Sequence, residues 1–146
     1  MAVIDQPTFG GSHRIGDWWD KLVGAAPDRI LLFDNDVSWT ATALDARIAG
    51  LASGLVAQGA GKGSRVGILF PNRMDWLAGW LAVTRTGGIA VTLSTFFTAP
   101  ELGWTLNHAD IGYLLSAREY MGHRYDQRIA AALPELADAD GGQPLA

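Results

Sequence analysis

Residues 39–70 read WTATALDARIAGLASGLVAQGAGKGSRVGILF, residues 71–93 continue as PNRMDWLAGWLAVTRTGGIAVTL, and residues 94–115 follow as STFFTAPELGWTLNHADIGYLL. Short apolar runs alternate here with longer segments in which apolar residues recur every three or four positions. Glycine, proline and asparagine stand where one pattern changes into the other. This alternation predicts helices between buried strands.

Capping residues set the limits of the predicted helices. The first helix follows Thr40, a favourable N-cap, and its apolar face carries Leu44, Ile48, Leu51 and Leu55. Gly59 suits the left-handed residue after its last turn. The second helix is predicted to start at an Asn72 cap and to bury a row formed by Trp76, Trp80 and Val83.

Two capping boxes are predicted further along the chain. Thr98–Glu101, with Pro100 in the first turn, opens a helix that carries Leu102, Leu106 and Ala109. Ser116–Glu119 has the same pattern and predicts a last helix with Met121, Tyr125 and Ile129 on one side.

The strands between these helices define the predicted fold class. They are Val66–Phe70, Ile89–Leu93 and Ile111–Leu115. Short strands separated by amphipathic helices predict an α/β fold in three layers, with a mostly parallel sheet and helices on both faces. Arg29–Phe33 and Val37–Trp39, joined at Asn35-Asp36, predict a short hairpin at the edge of that sheet.

Length and composition limit the class of protein. The 146 residues predict an irregular arm (1–16), one α/β unit (17–134) and a flexible tail (135–146). A net charge of −4 without a basic run argues against nucleic-acid binding. No cysteine is present, which excludes a disulfide framework and a thiolate site and fits a cytoplasmic protein. The run Trp76–Val83 is far shorter than the ~20 residues of a membrane span, so we expect a soluble protein.

Several motifs, taken in order, carry a resemblance to a known family. They are the Trp39-Thr40 helix start with Leu44, the Leu51–Gly63 segment, Arg65–Asn72 (RVGILFPN), Gly87–Val91 (GGIAV) and Pro100-Glu101-Leu102. Together, over roughly Trp18–Leu133, they resemble the N-terminal segment of the AMP-forming acyl-CoA synthetases. The sequence departs from the family pattern at Ala41, Ala43, Ser64 and Thr92.

The resemblance implies a ligase that uses ATP/Mg and coenzyme A. Family members join a carboxylic acid to ATP, release pyrophosphate, and transfer the acyl group from AMP to a thiol. They need a Ser/Thr/Gly-rich phosphate loop ending in Lys, an Asp for the ribose and a C-terminal Lys, and these 146 residues contain none of the three motifs. We therefore expect these residues to be an N-terminal fragment of a fatty-acid type enzyme. The fragment by itself is expected to have no catalytic residue, to bind no cofactor and to be inactive. Its expected partners are the remainder of the parent enzyme and, through exposed apolar faces, further copies of itself.

Two glycine- or aromatic-containing loops are candidate binding sites. Residues 59–63 (GAGKG) follow a helix and precede a strand, the reverse of a phosphate loop, and indicate a tight turn. The loop Ser94–Thr98 follows a strand, at the edge where parallel sheets bind ligands. The resemblance places this second loop near the coenzyme A nucleotide, with candidate residues Thr95, Phe96, Phe97, Arg118 and Arg124.

Two alternatives to these interpretations stay open. In the first alternative, the phenylalanines of the second loop pack beneath it and the arginines are solvated, so that the loop is not a binding site. In the second alternative, the whole chain is a non-catalytic, flavodoxin-like module that binds a nucleotide or a protein. His13, His108 and His123 lack metal-ligand spacing, so no metal site is predicted.

Overall fold

A computed structural model of the chain describes residues 14–134, and every structural statement below refers to that range. The predicted tail (135–146) and residues 1–13 of the predicted arm lie outside the described residues. The elements, in chain order, are α1 (Ile15–Ala25), β1 (Ile30–Asp34), β2 (Val37–Thr40), α2 (Ala41–Ala57), β3 (Arg65–Leu69), α3 (Met74–Arg85), β4 (Ile89–Thr92), α4 (Ala99–His108), β5 (Tyr113–Ser116), β6 (Glu119–Tyr120), β7 (His123–Arg124) and α5 (Tyr125–Ala132).

A parallel sheet with the strand order β4-β3-β5 lies at the centre of the molecule. Val66 of β3 aligns with Ala90 of β4 on one side and with Tyr113 of β5 on the other. The connection from β3 to β4 runs through α3, and the connection from β4 to β5 runs through α4. These are the crossover helices that parallel pairing requires, and the predicted parallel sheet is confirmed.

Both faces of the sheet are covered by helices. On one face, Leu55 of α2 and Val83 of α3 pack against Val66, Ile68 and Leu115. On the other, residues of α4 and α5 join strand residues in a cluster of Leu69, Leu93, Leu102, Leu106 and Tyr125. Because the side chains of β3 alternate between the faces, Ile68 and Leu69 enter different clusters. The three-layer α/β fold predicted from the sequence is confirmed.

The predicted hairpin forms but does not extend the parallel sheet. β1 and β2 pair antiparallel as a separate two-stranded sheet. Leu31, Leu32 and Trp39 pack instead on the cluster shared by α1, α2 and α3. The prediction of a hairpin is therefore confirmed, while its expected place at the sheet edge is corrected. Leu31, Leu32 and Trp39 are partly buried against these helices, which no local pattern specifies.

Three helices are joined beside this hairpin by polar contacts. Arg85 of α3 forms ion pairs with Asp20 of α1 and with Asp45 of α2, each at 3.0 Å. The Nε1–H of Trp19 donates to the same Asp45 carboxylate at 2.8 Å. Trp19 is thereby buried within the chain's own core.

The prediction of a helix that starts at Ser116–Glu119 is wrong. Ser116 ends β5, and its hydroxyl donates to the carbonyls of Leu69 and Ala117. A small hairpin, β6–β7, follows, and Met121 and Gly122 turn it with φ angles of 48° and 79°. Two successive residues of positive φ fit a two-residue hairpin turn. The helix begins only at Tyr125, and Met121, expected on its apolar side, is 81% exposed at the turn.

Other predicted caps and turns agree with the structure. The Thr40 hydroxyl accepts from the Ala43 N–H, and Gly59 has a φ of 90° after α2. The Glu101 carboxylate accepts from the N–H and the hydroxyl of Thr98, and the backbone bond is the larger cause of the lowered pKa of Glu101. Within residues 14–134, no helix is long and apolar enough to cross a membrane.

Candidate functional site

A cleft of about 680 Å³ opens at the carboxyl ends of β3 and β4. The chain leaving β3 contributes one wall, and the loop leaving β4 contributes a second, formed by Leu93, Ser94, Thr95 and Phe96. The third wall comes from the β6–β7 hairpin and α5, with Tyr120, Met121, His123, Tyr125 and Arg128. In open parallel sheets this edge is where ligands bind, because the strands end there and the loops diverge.

The loop after β4 exposes one aromatic ring and partly buries the other. The backbone N–H groups of Phe96 and Phe97 donate to the hydroxyl and the carbonyl of Ser94, both at 3.2 Å. The Phe96 side chain is 88% exposed at the cleft, while Phe97 packs on the core cluster beneath α4. Phe97 therefore packs beneath the loop, whereas Phe96 is accessible from the cleft.

Arg128 connects α5 to the same loop. Its Nη1 donates to the Thr95 carbonyl at 2.6 Å, and its guanidinium carbon lies 5.4 Å from the centroid of the Tyr125 ring. The side chain lines the cleft and is half-buried. The sequence analysis did not select this residue. The signal that indicates it is its spacing of three residues from Tyr125, which places both on one face of α5.

The predicted arginines Arg118 and Arg124 do not line the cleft. Arg124 binds the Asp126 carboxylate at 2.6 Å and approaches Glu119 at 3.5 Å, and Arg118 approaches Asp126 at 3.5 Å. The hydrogen bond from Arg124 is the largest cause that lowers the pKa of Asp126 to about 2, so Asp126 is ionised at neutral pH. The structure therefore brings Thr95 and Phe96 together at the cleft and sets Phe97, Arg118 and Arg124 apart from it.

A long-range contact holds the start of α3, which follows Pro71 and Asn72 in the first wall of the cleft. Asp34 of β1 accepts from the Nε–H of Arg73 at 2.8 Å and from the N–H of Met74 at 3.3 Å. Asp34 thus caps α3, where the sequence predicted an Asn72 cap, and its hydrogen bond raises the pKa of Arg73. The Arg73 guanidinium in turn lies 5.4 Å from the centroid of the Tyr120 ring in the third wall. Asp34 lies 40 residues before Met74, so no local pattern indicates this cap.

The glycine-rich segment 59–63 lies away from the cleft. It joins the end of α2 to Arg65, the first residue of β3, so it sits at the amino edge of the sheet. The Gly61 N–H donates to the Ser64 hydroxyl at 2.9 Å, which closes the turn on itself. This geometry agrees with a helix-to-strand turn.

The cleft has the chemistry of a binding site. Its walls offer aromatic rings, hydroxyl groups, one imidazole and one guanidinium. In the part of the chain that the structure describes, no group of three His, Cys, Asp or Glu residues is placed to hold a metal ion. An exposed ring for stacking and a guanidinium for an anion fit a ligand that combines a base with phosphate.

Comparison with protein families and curated proteins finds one consistent match. The family model for AMP-binding enzyme matches residues 19–143. YngI of Bacillus subtilis, assigned to the acyl-CoA synthetases, is 32% identical over 131 residues, which cover 88% of this chain and 24% of that protein. The medium-chain fatty-acid–CoA ligase of Escherichia coli is 31% identical over 107 residues, 73% of this chain and 19% of the ligase. The chain thus spans about a quarter or less of the length of these relatives.

Solved structures share the fold. A benzoate CoA ligase from Burkholderia xenovorans superposes with a TM-score of 0.75 at 17% identity, over 84% of this chain and 24% of the ligase. The N-terminal domain of FACL13 from Mycobacterium tuberculosis gives a TM-score of 0.69 at 22% identity, over 90% of this chain and 31% of that domain. At these identities the likeness concerns the arrangement of helices and strands.

Proposed function

The chain belongs to the AMP-binding enzyme family, and we propose that it forms the N-terminal α/β part of an AMP-forming acyl-CoA ligase. The reaction proposed for the whole enzyme joins a fatty or other apolar carboxylic acid to ATP and then transfers the acyl group to coenzyme A. The observation that carries the proposal is the family match over residues 19–143. It is supported by relatives in two bacteria whose names describe coenzyme A thioester formation.

Within that enzyme, we assign the cleft to the nucleotide part of coenzyme A. Phe96 supplies an exposed ring on which adenine stacks, and Thr95 shapes the loop that carries it. Replacing a stacking aromatic by alanine costs about 1–3 kcal/mol, so Phe96→Ala should weaken binding by about 5- to 150-fold. A cytoplasmic location is part of the proposal, because a chain without cysteine suits a reducing compartment.

Titration calorimetry with coenzyme A, ATP and AMP tests the assignment. Phe33→Ala is the matched control, since Phe33 is also an exposed phenylalanine, 72% accessible, but lies on β1 outside the cleft lining. This proposal replaces the expectation that the fragment binds no cofactor, because the cleft is formed entirely by residues of this chain. We expect coenzyme A to bind the native chain and the control equally, and Phe96→Ala to bind it more weakly. Equal affinities for all three proteins would contradict the assignment. Binding of AMP or ATP without coenzyme A would instead favour a nucleotide-binding module.

We also propose that the chain alone does not form acyl-adenylate. The 146 residues contain no Ser/Thr/Gly-rich loop ending in Lys, and the cleft offers no paired nucleophile and base in its lining. The measurement is pyrophosphate release from ATP in the presence of a medium-chain fatty acid, with a full-length family ligase as positive control. Release by the purified chain at a rate above the background would refute this part of the proposal.

The expected self-association is assigned to the β1–β2 hairpin. Ile30, Phe33 and Val37 are 48%, 72% and 54% exposed on this small sheet. Exposed apolar groups in such proximity are typical of contact surfaces. Light scattering at graded concentrations should show a mass that rises with concentration and a loss of that rise in Phe33→Ser. A native chain that stays monomeric throughout the series would exclude this surface.

A further inference from the structure

Residues 118–128 contain three arginines, and their charges are balanced differently. Asp126 binds both Arg118 and Arg124, and Glu119 adds a second carboxylate beside Arg124. Arg128 has neutral neighbours instead, namely the Thr95 carbonyl and the Tyr125 ring. Within residues 14–134, no carboxylate oxygen lies within 4 Å of the Arg128 guanidinium.

The guanidinium of Arg128 also has unused donor capacity on the cleft side. A guanidinium carries five N–H donors, and the bond to the Thr95 carbonyl uses one of them. The side chain is half-buried in the cleft wall, so its charge is less screened than that of the 85% exposed Arg118. A half-buried cation without a counterion is a favourable partner for an incoming anion.

We propose that Arg128 binds the phosphate-bearing, anionic part of the ligand in the cleft, and that the carboxylate-paired Arg118 and Arg124 do not. The proposal rests on the proposed function, because it names the residue and the chemical class that the coenzyme A site recognises. It replaces the two arginines expected from the family resemblance by one that the sequence did not indicate. The hydrogen bond from Arg128 to the Thr95 carbonyl also restrains the loop that carries Phe96. The same side chain therefore binds the anion and positions the aromatic ring.

Calorimetry on the full chain with two probes, coenzyme A and inorganic pyrophosphate, tests the assignment. Arg128→Gln should weaken both by about 10-fold or more, because charge-assisted hydrogen bonds are roughly twice as strong as neutral ones. Arg128→Lys keeps the charge and should retain a larger part of the affinity than Arg128→Gln. Lys62→Gln removes one positive charge at the amino edge of the sheet, and it controls for net charge. Circular dichroism and thermal melts confirm that each variant is folded.

The salt dependence gives an independent readout. If Arg128 contacts the anion, the affinity of the native chain falls with added salt and the affinity of Arg128→Gln falls less steeply. A merely structural role for Arg128, through Thr95 alone, would lower the affinity without changing the slope.

The outcomes separate this proposal from the proposed function. Pyrophosphate binding that depends on Arg128, without coenzyme A binding, supports the anion site and refutes the coenzyme A assignment. Coenzyme A binding that survives Arg128→Gln but is lost in Arg124→Gln overturns the anion site and leaves the ligase assignment intact. Failure of the native chain to bind either probe overturns the anion site as well.

Discussion

Replacing Gly103 by alanine tests the contact between α4, which follows the Phe96 loop, and α5, which contributes Tyr125 and Arg128 to the cleft. Gly103 is a buried residue of α4, and a Cβ built on it would lie 2.7 Å from the carbonyl oxygen of Ala132 in α5. Ordinary contacts of a Cβ start at about 3.4 Å, and a backbone oxygen has no rotamer by which to withdraw. The two helices must therefore move apart by the difference between these distances.

The magnitude follows from a comparison with Gly50. This glycine is exposed in the middle of α2, and a Cβ there meets no atom within 4 Å. Alanine at either position gains about 1 kcal/mol of helix propensity, so the gain cancels when the two variants are compared. Overpacking of a core typically costs about 1–3 kcal/mol. We expect Gly50→Ala to be more stable than the native chain and Gly103→Ala to be less stable than Gly50→Ala by about 1–3 kcal/mol.

Urea unfolding followed by circular dichroism measures both free energies of unfolding. The slope with urea must stay the same in all three proteins, so that a change in midpoint reports stability alone. Equal stability of the two variants would refute the close approach of α4 and α5 at Gly103. A destabilised Gly50→Ala would instead contradict the exposed position of that residue in α2.

Three further predictions concern single side chains. Leu102→Ala, at a fully buried position, should lower the free energy of unfolding by about 2–5 kcal/mol in the same urea assay. Asp34→Ala removes the cap of α3 and the partner of Arg73, and should cost about 0.5–2 kcal/mol for the cap alone in thermal melts. The pKa of Asp126 is lowered to about 2 by Arg124, so its contribution to stability is complete above its ordinary pKa and is lost as the pH falls from about 4 to 2. Asp126→Asn should flatten the pH dependence of the melting temperature in that window, and an unchanged dependence would contradict the ion pair.

The parts of the fold that were predictable depend on short-range patterns. Thr40, Gly59 and the Thr98–Glu101 box act within one or two turns of their own helix, so the sequence contains the whole cause. The spacing of three or four positions between Leu44, Ile48, Leu51 and Leu55 likewise indicates which face of α2 is buried. The alternation of strands and helices predicts parallel pairing, which the sheet β4-β3-β5 shows, but it does not specify the strand order.

The parts that were missed depend on contacts between distant segments. Asp34 caps a helix that begins 40 residues later, and nothing near Met74 indicates that partner. Ser116–Glu119 has the letters of a capping box, yet the strand pairing of β5 and the turn at Met121 prevail over the local propensity. Which arginine is neutralised depends on where Asp126 lies in space, so Arg118 and Arg124 were selected from the sequence without that information.

The contact at Gly103 has a consequence for ligand binding as well as for stability. Glu101 of α4 caps the helix that follows the Phe96 loop, and Arg128 of α5 holds the same loop at the Thr95 carbonyl. The loop of the second wall and the Arg128 side chain of the third wall are therefore held by the two helices that meet at Gly103. Separating these helices lengthens the 2.6 Å bond from Arg128 to Thr95, whereas a methyl group at Gly50 changes neither wall. Gly103→Ala should consequently bind coenzyme A more weakly than Gly50→Ala at a temperature where both are folded. Equal affinities, with the expected loss of stability, would mean that the loop holds its place without α5.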